Sequence, residues 1–267
     1  MMNRRRIFAL IGAAIASMLL AIGASLLIPS ISTLVAQSNT TLLVSTAASL
    51  KDAVEEIKTN YQQSQSEVRI NFNFGASGAL LQQIQQGAPA DIFISAGKKQ
   101  VDTLEQAGKL VPNTRGILAK NRLVLIVPRN STGMTSFFDL TKNNIRKIAI
   151  GEPRSVPAGQ YAEQVLQKLK IYDKVKSKFV YANNVRQVLA AVESGNADAG
   201  LVYRTDAAIS NKIKTVVAAS ETYHSPIVYP MAVLKQSKNV KAATEFVQYL
   251  SSEQAKGVLK KYGFILP

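Results

Sequence analysis

Ser49, Ser77, Ala158 and Val185 share a setting in which backbone amides can do chemistry. Each stands in the first turn of a predicted helix that follows a predicted strand. The segments are Thr46-Ala47-Ala48-Ser49, Gly75-Ala76-Ser77-Gly78, Ser155-Val156-Pro157-Ala158-Gly159 and Asn183-Asn184-Val185. The first N–H groups of a helix have no intrahelical acceptor, and the macrodipole puts partial positive charge there. Such ends bind anions, and small side chains let the anion come close to the backbone. Four of them brought together would form a charge-free cage for one oxyanion.

The donors differ in kind. Ser49 and Ser77 each offer an N–H and a hydroxyl, whereas Ala158 and Val185 offer an N–H alone. Pro157 has none to give and suits the first helical position instead. Tyr203 ends the strand Gly200-Leu201-Val202-Tyr203 and can either extend its phenol into a cleft or stay in the core or rim. Taken alone, each serine reads as the cap of its own helix. The number of such ends, and their division between two halves of the chain, favours a shared site.

Magnitudes show that a neutral cage is enough. A hydrogen bond to an ionised group contributes about 1.5–3 kcal/mol, so these donors together would supply roughly 10–20 kcal/mol before ordering costs. Micromolar to nanomolar binding needs about 8–12 kcal/mol. No charged side chain has to be buried. Donors without acceptors also select. Phosphate near neutral pH still carries protons, and a buried proton without an acceptor is penalised. Sulfate, molybdate and tungstate are fully deprotonated dianions and pass this test, leaving cavity size to choose among them.

Other residue types narrow the chemistry. There is no cysteine, hence no disulfide, thiol nucleophile or thiolate metal site. His224 is the only histidine and sits in the polar stretch Glu221–Pro226, so no His or Cys cluster supports a protein-held metal ion. Ser49 has no nearby histidine in sequence, which makes an exported hydrolase of anionic esters the weaker alternative. An amino-acid carboxylate would call for a paired arginine or aspartate among the donors. Asp91 is expected to bond backbone rather than ligand. Arg154, Arg186 and Arg204 adjoin the helix ends and read as a solvated rim, with contact to the ligand-bearing loops or the lobe interface as the alternative.

The elements that must position these residues alternate along the chain. Arg4-Arg5-Arg6 and the apolar run Ile7–Ile28 have the order of a leader, with a cut expected after Ala36. That run is also long enough to span a bilayer as an uncleaved anchor. Without the three leader arginines, 29 basic residues face 17 acidic ones, a net +12. The lysines are spread over many helices, and basic residues do not interleave with aromatics. The charge therefore reads as solubility and attraction to an anionic surface, not as nucleic-acid binding.

Strands are predicted at 41–46, 68–74, 91–95, 123–127, 147–150, 178–181, 199–203, 214–218 and 227–234. Amphipathic helices lie between them, such as Ser49–Gln63 with Leu50, Ala53, Val54, Ile57 and Tyr61 on one face. This alternation predicts an α/β fold with largely parallel sheets. Two lobes suit the length, residues 39–123 plus 232–267 in one and 124–231 in the other. Two of the helix ends fall in each lobe, facing across a cleft, and two linking strands form a hinge.

At these residues the chain resembles the periplasmic molybdate-binding proteins of ABC transporters (the ModA type). The segments that carry the resemblance are Ala47-Ala48-Ser49-Leu50, Gly87–Ala96, Val156-Pro157-Ala158-Gly159-Gln160-Tyr161-Ala162, Asn184-Val185-Arg186, Gly200-Leu201-Val202-Tyr203 and Lys261-Tyr262-Gly263-Phe264. It covers nearly all of 41–267. It implies a two-lobed type II periplasmic binding protein fold, each lobe a mostly parallel sheet flanked by helices, with a two-strand hinge. The implied ligand is molybdate or tungstate, held tetrahedrally by Ser49, Ser77, Ala158, Val185 and Tyr203. Molybdenum or tungsten is met only as the oxyanion, and no cofactor is implied. The implied partner is an inner-membrane ABC permease with its ATPase, served by a periplasmic monomer that is not an enzyme. One departure stands out: family members are often richer in hydroxyls around Ser77, whereas Gly78 and Ala79 have none. A related tungstate-binding group completes six-fold coordination with carboxylates. Glu152 and Asp206 lie near the motifs but replace no matched donor, so four-coordinate binding is expected.

Overall fold

The alternation of strand and helix resolves into two five-stranded sheets. The computed structural model describes residues 40–267. The leader, with its expected cut or anchor, lies outside the described residues. The first sheet is begun by β1 (Thr40–Ala47), β2 (Val68–Gly75), β3 (Ile92–Ile94) and β4 (Gly116–Lys120), joined through α1 (Lys51–Ser64), α2 (Ser77–Gln85) and α3 (Lys98–Gln106). The chain then crosses over. β5 (Leu123–Pro128), β6 (Ile148–Gly151), α4 (Pro157–Lys168), α5 (Tyr172–Val175), β7 (Phe179–Ala182), α6 (Val185–Glu193), β8 (Ala199–Tyr203), α7 (Arg204–Ala208) and β9 (Ile213–Ala218) build the second sheet and its helices. β10 (Val228–Val233) returns to the first sheet, and α8 (Val240–Leu250) and α9 (Glu253–Lys261) follow it.

The two sheets repeat one wiring plan. Their orders are β2-β1-β3-β10-β4 and β7-β6-β8-β5-β9. In each, the first three strands are parallel and the fourth runs antiparallel to both of its neighbours. The fourth strands are β10 and β5, the two that follow the crossings. The sheets are therefore mixed, with four of five strands pointing one way. The crossings lie side by side, since Asn121 N–H donates to the Ile227 carbonyl at 3.1 Å.

Two details depart from the sequence expectation. Gly116–Lys120 is a strand, although its turn-rich surroundings and its two buried residues, Leu118 and Ala119, give little periodic signal. Val228–Met231 pair with β4 in the first sheet. The return crossing thus precedes Val228, whereas the expected lobe boundary followed Met231.

Strand alternation sorts the core of the first sheet onto two faces. Ile92 and Ile94 of β3 join the main core with α1, α8 and α9, where Tyr61 meets Phe246 edge-on at 5.0 Å. Phe93 points the other way, into a cluster with Leu80, Ile84, Val101 and Leu104 of α2 and α3. In the second sheet Val188 and Val192 of α6 lie against Gly200, leaving no room for a side chain there. Gly159 sits so close to β6 that a Cβ on it would fall 1.9 Å from the Gly151 carbonyl oxygen. That approach drives the start of α4 down onto the strand end. No helix among the described residues is long and apolar enough to cross a membrane.

Candidate functional site

All five residues singled out from sequence line one cavity between the two sheets. Ser49, Ser77, Ala158, Val185 and Tyr203 are joined there by small neighbours, among them Ala47, Ala48, Gly75, Ala76 and Ala96. Among the described residues, no charged side chain lines it. The open space at its centre is only about the size of one water. None of the five is more than 4% exposed, so a guest among them would be out of water.

The local structure leaves the helix ends uncapped. The turn Ala48–Leu50, α2 and α4 each begin without a side-chain cap, and Pro157 occupies the start of α4. Only α6 has one, Asn184, which accepts from Gln187 N–H at 3.1 Å. Neither serine caps its own helix, contrary to the reading of each alone. Ser77 Oγ accepts from the Ala96 N–H at 2.9 Å, and Ser49 Oγ lies 3.0 Å from Tyr229 OH. The Tyr203 hydroxyl reaches the Ala96 carbonyl only at 3.5 Å, the outer limit of a hydrogen bond. Burial first, and the neighbouring Tyr229 and Tyr161 next, hold this phenol well above the ordinary tyrosine range, so it stays a neutral donor.

The two halves touch across the cavity by backbone. Gly78 N–H donates to the Ser155 carbonyl at 2.9 Å. A Cβ on Gly78 would lie 2.6 Å from that oxygen and 2.8 Å from Ser155 Cα. The residue that lacks a hydroxyl beside Ser77 thus has a steric role, since its bare Cα lets the two backbones meet. Arg204 adds a second link, donating to the Gly263 carbonyl at 2.7 Å.

Charges stand one layer behind the cavity. Arg186 is mostly buried and bridges the halves, pairing with Asp52 at 2.5 Å and Asp206 at 2.6 Å and approaching the Ser49 carbonyl at 3.4 Å. The solvated-rim expectation therefore fails for Arg186, because the fold supplies two carboxylates that its sequence neighbours do not reveal. It holds for Arg154, which pairs with Glu152 at the surface. Both nearby carboxylates, Glu152 and Asp206, are engaged by arginines. Asp91 bonds backbone as expected, accepting from Leu43 N–H at 2.7 Å. His224 lies off the cavity, edge-on to Tyr161 at 5.8 Å. Sequence reasoning missed Tyr229, Asn121 and Asp52, which carry no motif and gain meaning only by adjacency.

A profile described as bacterial extracellular solute-binding protein matches residues 42–265. The chain belongs to this family. YvgL of Bacillus subtilis, whose name proposes an ABC transporter substrate-binding lipoprotein, is 47% identical over 229 residues, covering 85% of this chain and 87% of that protein. The molybdate-binding protein ModA of Haemophilus influenzae is 39% identical over 82% of this chain and 87% of its own length. The solved periplasmic molybdate-binding protein of Azotobacter vinelandii superposes with a TM-score of 0.75 at 28% identity, over 85% of this chain and 99% of that one. The two mixed sheets flanked by helices are the two-lobed α/β fold of type II binding proteins.

In this solute-binding protein Asp206 has a testable titration. It is fully buried, and although Arg186 Nε lies 2.6 Å away, neither carboxylate oxygen has a well-aligned donor among the described residues. Burial therefore outweighs the pull of Arg186 and raises the carboxyl to about 6. The folded chain holds this proton where the unfolded chain has lost it. The resulting stability is fully present below about pH 4 and is lost as pH rises through about 6. The unfolding free energy of the unsubstituted protein minus that of Asp206→Asn should fall by about 2 kcal/mol between pH 4 and pH 7. Urea unfolding across that range measures it, and a flat difference would return Asp206 to the ordinary range.

Proposed function

We propose that this chain is an extracytoplasmic solute-binding protein that captures molybdate or tungstate in the cavity between its sheets. The observation that carries this reading is the meeting of four helix N-termini in one buried cavity with no charged lining. Ser49, Ser77, Ala158, Val185 and Tyr203 would surround the oxyanion with N–H and O–H donors. The metal is then met only through its oxygens, and no cofactor takes part. Ser77 Oγ already accepts from a backbone N–H, so its proton is free for a guest. The names of the molybdate-binding relatives support the choice of ion within the deprotonated dianions. Sulfate is the other oxyanion of that class.

The lobes would close on the ion as bodies, 39–123 with the C-terminal segment against the segment from 124, about the paired crossings at Asn121 and Ile227. Ligand shifts that equilibrium only by its differential affinity for the closed form, in which donors of both lobes reach it. The loaded chain, a periplasmic monomer exported by its leader or kept at the membrane by it, would deliver the ion to an inner-membrane ABC permease with its ATPase. It binds the ion and does not transform it.

Titration calorimetry should find molybdate and tungstate binding one per chain, with phosphate inert. Tight phosphate binding would sink the donor-only argument. Ser49→Ala and Ser77→Ala should each weaken molybdate binding by about 1.5–3 kcal/mol, and unchanged affinity would remove that serine from the site. Small-angle scattering should show compaction on adding molybdate. Gly78→Ala should abolish that compaction and weaken binding about tenfold or more, as expected when a Cβ is forced against fixed backbone; normal closure in this variant would dismiss the Gly78–Ser155 contact as a determinant.

A further inference from the structure

Behind Ser49 runs a chain of side chains whose donors and acceptors can be assigned one by one. Asn121 Oδ1 accepts from the Arg122 N–H at 2.9 Å. A backbone N–H can only donate, so the amide is fixed with its oxygen on that side. Its Nδ2, which can only donate, then faces Thr205 Oγ1 at 2.9 Å and Tyr229 OH at 3.1 Å. The Tyr229 oxygen is the acceptor of that bond. Its own proton has Ser49 Oγ at 3.0 Å to go to. Ser49 Oγ accepts in turn, and its proton is left to point away from Tyr229, toward the cavity it lines.

Asn121, Thr205, Tyr229 and Ser49 are all buried, so water does not compete for these bonds. Burial also holds the Tyr229 phenol far above the ordinary tyrosine range, which keeps its proton in place. The two serines of the cavity thus reach the same state by different routes. At Ser77 a backbone N–H occupies the oxygen. At Ser49 a side-chain relay anchored in the crossing segment does the same.

We propose that Tyr229, directed by Asn121, is a positioning residue that commits the Ser49 hydroxyl to donate into the cavity, so that this corner rejects oxyanions still carrying a proton. The inference rests on the oxyanion-binding reading above and assigns its selectivity at one corner to residues that touch no guest. Without the relay, Ser49 can rotate and present a lone pair, which a protonated oxyanion can use.

A double-mutant cycle on the full chain tests it by calorimetry at pH 7, with molybdate and with inorganic phosphate. Tyr229→Phe should weaken molybdate binding about fivefold in the unsubstituted background, the usual loss for one hydrogen bond. In the Ser49→Ala background the same change should cost less than about twofold, because the relay has nothing left to orient. The ratio of phosphate to molybdate affinity should rise in Tyr229→Phe. Asn121→Ala should reproduce both patterns and carries the test if Tyr229→Phe does not fold, as judged by thermal unfolding. Equal losses in both backgrounds would make Tyr229 a packing residue, and no loss in either would dismiss the relay. If the unsubstituted protein binds no molybdate, the oxyanion reading itself falls, and this inference with it.

Discussion

Helix ends buried without caps are the constraint on which the rest of this structure depends. A buried N–H without an acceptor costs about as much as a lost hydrogen bond, so folded chains seldom tolerate several in one place. Here the turn at Ser49, α2 and α4 all begin uncapped at one cavity, and α6 meets them there. The small residues around them keep the backbone accessible. Pro157 removes one donor that would otherwise be left over. The absence of a charged lining follows from the same logic, because dipoles already supply the positive potential.

Keeping charge off the cavity does not keep it out of the molecule. Arg186 lies one layer back, where its guanidinium links Asp52 from the first half to Asp206 from the second. The net charge of that cluster is negative when both carboxylates are ionised, and burial leaves Asp206 poorly solvated. The contact between halves is thereby divided into two kinds. Backbone meets backbone at Gly78 and Ser155, which demands close fit. Charge meets charge at Arg186 and Asp52, which tolerates small shifts but is strengthened by exclusion of water.

The legible part of the fold was the part with a local cause. Strands such as Leu123–Pro128 and Ala199–Tyr203 are continuous apolar runs, and helices such as α1 show a full apolar face. Gly116–Lys120 was illegible because only two of its residues are buried, so its pattern is that of a loop. The boundary near Met231 was misplaced because β10 is apolar on both sides, and nothing in such a run says which sheet receives it. The same distinction runs through the site. Asp91 behaved as a local backbone partner, whereas Arg186 read as solvated until the fold set two carboxylates against it.

By itself the sequence determined which segments begin helices with small, uncharged residues, and therefore which backbone donors stand unshielded. It also excluded thiol and clustered-histidine chemistry, and through its motifs it pointed to a family of binding proteins. Only the tertiary structure decided that those ends share one cavity, that neither serine caps its own helix, and that Tyr229 and Asn121 stand behind Ser49. The reason is physical. A helix end is specified within a few residues of chain, but the partner of a hydroxyl is whatever atom the packing of distant strands brings close, as Tyr229 is brought to 3.0 Å from Ser49 across 180 residues.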